Sequence, residues 1–92
     1  MKIIALDAQG WRTQDDFYDA LLPAIGAPEW HGRNLDALWD SIVGGDINSV
    51  SPPFVVRVMN APAGEVQSFL AKAERLFLDA RADGIDVQLT LS

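Results

Sequence analysis

Ninety-two residues without a cysteine exclude a disulfide scaffold, a thiolate metal site and thiol chemistry. Thirteen acidic residues against seven basic ones give a formal charge of −6. That balance argues against nucleic-acid binding, which neutralises phosphates with Lys and Arg, and it favours basic partners when it does more than keep the chain soluble. No apolar run approaches the roughly 18 residues of a membrane span, and the N-terminal run meets Asp7 too soon for a signal peptide. The chain therefore reads as one cytoplasmic domain, residues 1–92, long enough to bury a modest core.

Lys2 to Leu6, with two isoleucines, reads as a short strand, and Asp7-Ala8-Gln9-Gly10 breaks it. Thr13 offers an N-cap, with Asp16 three residues on as a weak capping box. Phe17, Leu21, Leu22 and Ile25 supply one apolar helical face. Asp15, Asp16 and Asp19 stand in the first turns, where the helix dipole favours them, and read as a solvated face. Pro23 ends or kinks this helix, and Gly26 and Pro28 complete the break.

The most informative stretch follows, from Pro28 to Val43. Asn34 is placed to cap a helix whose apolar residues, Leu35, Leu38, Trp39 and Ile42, recur at i, i+3, i+4 and i+7. Asp36 and Asp40 share one flank of that helix, beside Trp39 and Val43. Carboxylates at i and i+4 repel by about 0.2–0.5 kcal/mol, and no Lys or Arg stands at a helical neighbour of Asp40. A helix that only had to fold would not need the pair, so the flank is suited to a positive partner.

Gly44-Gly45 stops the helix, and a loop ending in Pro52-Pro53 leads into Phe54–Met59. This run is nearly continuous in apolar character, which predicts a central strand covered on both sides. Glu65 to Ala82 is the longest helical pattern, with Val66, Phe69, Leu70, Ala73, Phe77 and Ala80 facing in and Gly84 as a left-handed cap. Ile85 to Leu91 alternates as a strand with one wet face. The order β-α-α-β-α-β predicts an α/β fold with parallel strands and helices mainly on one side of a three-stranded sheet.

Few residues here could carry catalysis. The single histidine, His31, excludes a His pair, and Ser41, Ser49 and Ser51 have no basic partner nearby in sequence. Asp36 and Asp40 could join His31 in a metal-dependent hydrolase, but no metal-ligand spacing is present. Trp39 can pack or bind. Trp30, in the loop, is the better contact, because aromatic anchors beside desolvated charges mark interface hot spots.

The motif Pro28-Glu29-x-x-Gly32-x-Asn34-Leu35-Asp36-Ala37-Leu38-Trp39-Asp40 closely resembles the centre of the barstar family, intracellular inhibitors of secreted ribonucleases. The likeness runs along essentially the whole chain and returns at Gly84, Asp86 and Leu91-Ser92. It implies a two-layer fold with strand order 1-2-3 and three to four helices. It also implies a non-catalytic protein with no cofactor, monomeric when free. Its partner would be a cationic, secreted, barnase-like and guanyl-specific ribonuclease bound one to one, as an immunity protein or antitoxin binds its toxin. Asp40 would occupy the enzyme's phosphate pocket, with Asp36 as the second charged contact and Trp30 and Trp39 flanking. Gly32 and Asn34 would lie on the enzyme, and Asp79 would be an outlying acidic contact, one methylene shorter than the family's glutamate. From the residues themselves, His31 as a lone loop histidine and Val43 beside the acidic flank read as further contacts. A different basic protein is the alternative partner. Four departures rewrite the rim. Trp30-His31 replaces two tyrosines, Gly45 replaces a tryptophan, and the loop after the helix is longer. Arg33 stands where the family has a glutamate, which would repel a cationic enzyme locally.

Overall fold

A computed structural model describes all 92 residues. Three strands, β1 (Lys2–Asp7), β2 (Phe54–Met59) and β3 (Val87–Leu91), form a parallel sheet in the order β1-β2-β3. Ile4 lies beside Val56, and Val56 beside Leu89, so β2 is central as its composition predicts. The helices are α1 (Gln14–Ala24), α2 (Leu35–Val43) and α3 (Glu65–Ala82). Two right-handed crossovers stepping the same way across a sheet leave their helices on the same face. Twenty-two buried apolar residues accordingly form one cluster between that face and all three helices.

The two-sided cover expected for β2 is not found. Phe54, Val56 and Val58 are buried, while Val55 and Met59 are half-buried and Arg57 is exposed on the open face. The error has a simple source: β-branched residues suit a pleated surface whether or not a second layer covers it. Arg57 forms no ion pair with the protein's own carboxylates.

The helix ends follow local chemistry. The Asp16 carboxylate accepts from the N–H groups of Arg12 (2.6 Å) and Thr13 (3.2 Å), so the carboxylate half of the capping box forms. Those two bonds, Arg12 first, hold Asp16 below its ordinary value of 3.8. This capping contribution is therefore complete above that value and is lost as the pH falls through the lowered one. α1 runs one residue past Pro23, since only the bond that the proline cannot donate is missing. Gly84 adopts φ +88° after α3, and the Ile85 N–H reaches the Ala80 carbonyl at 3.0 Å, the expected left-handed cap.

An aromatic cluster joins α1 to α3. Phe17 meets Phe69 edge to face at 5.3 Å and Trp11 at 6.1 Å, and Tyr18 lies 5.8 Å from Phe69. Burial pushes the Tyr18 hydroxyl up to about 12, so it stays protonated. The loop after α2 is tied back to the end of α1, where Val50 N–H bonds the Ile25 carbonyl and Ser49 N–H bonds the Gly26 carbonyl.

Candidate functional site

Asn34 begins α2 as its sequence position predicts. Its side-chain oxygen accepts from the Ala37 N–H at 2.8 Å, with extended backbone at Asn34 itself. Gly32 makes room for this cap, since a Cβ there would stand 3.0 Å from the Ala37 Cβ and 3.1 Å from the Asn34 amide. Asn34→Ala is expected to cost about 0.5–2 kcal/mol of stability, readable as a lower midpoint in thermal melts.

From the cap onward the helix divides cleanly. Leu38, Ser41 and Ile42 are buried, and Leu35, Trp39 and Val43 are half-buried against the core. Asp36 and Asp40 are exposed, and neither forms an ion pair within the protein. Trp30, in the loop just before the cap, is 75 % exposed, an unusual placement for so large an apolar side chain. Asp79 lies apart on α3 and pairs with Arg75 at 3.1 Å.

His31 departs from its expected place on the partner surface. It is 7 % exposed, with Nδ1 2.7 Å from the Gly32 carbonyl and Nε2 2.9 Å from the Ser41 hydroxyl. A carbonyl only accepts, so Nδ1 donates to Gly32, while Nε2 pairs with the Ser41 hydroxyl, which itself donates to the Leu38 carbonyl at 3.0 Å. The Asn48 amide donates to the same hydroxyl oxygen at 3.0 Å. One buried network thus links the loop before α2, the helix and the loop after it. Ser41→Ala would strand His31 and Asn48, at an expected cost of about 1–3 kcal/mol, measurable by denaturant titration. The sequence signals only that Ser41 needs partners, since it lies on the apolar stripe between Leu38 and Ile42; it does not say which.

Arg33 is exposed, as expected of a rim charge, but its charge is met within the protein. Its guanidinium donates to the Asp19 carboxylate (2.6 Å), the Asp15 carbonyl (2.7 Å) and the Asp15 carboxylate (3.4 Å). The guanidinium carbon stands 5.9 Å from the centre of the Tyr18 ring. Asp15 and Asp19, read as merely solvated, are therefore joined to the loop.

Two open grooves flank the loop and helix. The larger, about 380 Å³, lies between α1 and the loop, with Leu22, Pro23 and Pro28 among its walls and Glu29 and Arg33 supplying charge. The smaller, about 230 Å³, lies beside Ser41, Asp46 and Phe54. No three His, Asp or Glu side chains come together as a metal-holding group. His31 in particular has both ring nitrogens engaged away from any shared site with Asp36 and Asp40.

The α2 flank thus presents two exposed carboxylates without an internal cation, and the loop before the helix presents an exposed tryptophan. The Barstar family model, described as barstar (barnase inhibitor), matches residues 1–92. The chain belongs to the Barstar family. A Bacillus subtilis (strain 168) protein named "Putative ribonuclease inhibitor YrdF" is 36 % identical over 44 residues, a match that spans 48 % of each chain. This match thus covers about half the length of that curated relative.

Proposed function

We propose that this protein is a one-to-one inhibitor of a cationic, secreted, guanyl-specific ribonuclease of the barnase-like kind, acting inside the cell as an immunity protein. The observation that carries this reading is the pair Asp36 and Asp40, exposed on one flank of a capped helix with no cation of their own. A ribonuclease must present a basic pocket to the phosphate of RNA. A carboxylate can fill that pocket through charge-assisted hydrogen bonds. In this reading Asp40 takes the phosphate position, Asp36 meets a neighbouring cation, and Trp30 and Trp39 close over the rim.

The rest of the surface prepares the encounter. Asn34 and Gly32 set the start of the helix, and His31 holds the loop from beneath through Ser41. Carboxylates held by a folded helix lose little freedom on binding, which conserves affinity. The net charge of −6 speeds association with a basic enzyme. The protein is an inhibitor in this account and performs no catalysis, needs no cofactor and acts as a monomer.

The test is inhibition of a panel of guanyl-specific microbial ribonucleases. Stoichiometric inhibition that weakens as salt is raised supports the reading. Absence of inhibition across the panel, together with capture of a basic protein of another kind, would move the same surface to a different partner.

A further inference from the structure

Neutralising an exposed arginine on a surface that binds a basic enzyme should ordinarily tighten the complex. The contacts of Arg33 reverse that expectation. Its guanidinium engages two carboxylates and one backbone carbonyl of α1, and covers the ring of Tyr18. The planar fork of arginine suits such multiple acceptance, whereas a lysine ammonium would satisfy it in part. The residue sits one position before the Asn34 cap and three after Trp30. A tie there joins the α1 face to the segment from which α2 starts.

We propose that Arg33 is a positioning residue: it clamps the 29–34 loop to α1 through Asp15 and Asp19, orders the binding surface before encounter, and has its charge neutralised within the molecule. The partner half of this statement rests on the inhibitor reading, and the loop half does not. Asp15 and Asp19 then belong to the binding machinery although neither lies on α2. Their carboxylates are about two-thirds exposed, so the clamp adds little to global stability and acts on local order.

The experiment uses the full chain as wild type, Arg33→Met, Arg33→Lys, Asp15→Asn/Asp19→Asn and the triple variant. In the free protein, amide hydrogen exchange of His31, whose N–H bonds the Pro28 carbonyl, and of Ala37 and Leu38, which bond Asn34, should be roughly three- to tenfold faster in Arg33→Met, with a near-wild-type melting temperature and partial retention of protection in Arg33→Lys. Unchanged exchange would overturn the clamp, whatever the partner. With a ribonuclease that the wild type inhibits, Arg33→Met should dissociate faster and bind more weakly. The Asp15→Asn/Asp19→Asn changes should weaken binding in the wild-type background and much less once Arg33 is gone. Tighter binding by Arg33→Met would restore the simple rim-charge view and overturn the proposal. If the wild type inhibits no ribonuclease, the inhibitor reading fails, and the exchange result still decides the clamp.

Discussion

Asp40→Ala should weaken inhibition of the target ribonuclease by about 3–5 kcal/mol, roughly a hundred- to several-thousandfold in the inhibition constant. The magnitude follows from what the substitution leaves behind. In the complex the enzyme's phosphate-binding cations would remain desolvated with no anion to meet them. Most of the loss should therefore appear as faster dissociation, with a smaller fall in association from the lost charge. The free protein should not be harmed. Asp40 is exposed and unpaired, and its removal relieves the repulsion with Asp36 at i and i+4. A melting temperature equal to or slightly above that of wild type, alongside a collapsed affinity, is the expected signature. Parallel inhibition titrations and thermal melts of the same preparation would read it.

Leu38→Ala should do the reverse. Leu38 is 0 % exposed and belongs to the cluster that fastens α2 to the sheet and α3. Truncating it removes transfer free energy and leaves a cavity, at a cost of about 2–5 kcal/mol. For a chain of this size that is a large fraction of the total stability. Denaturant unfolding should show a lower midpoint, and inhibition measured where the variant is still folded should be nearly normal. Together the two substitutions separate the faces of one nine-residue helix: one face holds the fold, and the other is the one proposed to meet the partner. A Leu38→Ala protein of unchanged stability would mean that α2 is turned differently about its axis.

Much of this was legible in the sequence, for reasons that differ by element. The i, i+3, i+4, i+7 pattern of Leu35, Leu38, Trp39 and Ile42, with Asn34 before it and Gly44-Gly45 after it, is a local code for a helix, and the structure forms α2 over that span. The exposed Asp36 and Asp40 follow from the same wheel. Three features were hidden because they depend on long-range contacts. His31 and Ser41 are ten residues apart, and only the fold brings the ring against the hydroxyl. Arg33 reaches Asp15 and Asp19 across eighteen and fourteen residues, and nothing in its own neighbourhood shows that the charge is met. The open face of β2 was also hidden, since Val55 and Met59 look equally suited to a covered sheet. His31, expected as a contact residue, is buried, and Arg33, expected as a departure from the family that adds a rim charge, has that charge met by Asp15 and Asp19.

Competition with a phosphate ligand tests the central idea most directly. The target ribonuclease is titrated with wild-type inhibitor at several concentrations of a guanylate monophosphate that occupies its active site. Phosphate mimicry by the α2 flank predicts an apparent inhibition constant that rises linearly with guanylate, and rises far less for the residual binding of Asp40→Ala. An inhibition constant indifferent to guanylate would mean that the protein binds away from the phosphate pocket, and the account of Asp40 would be wrong.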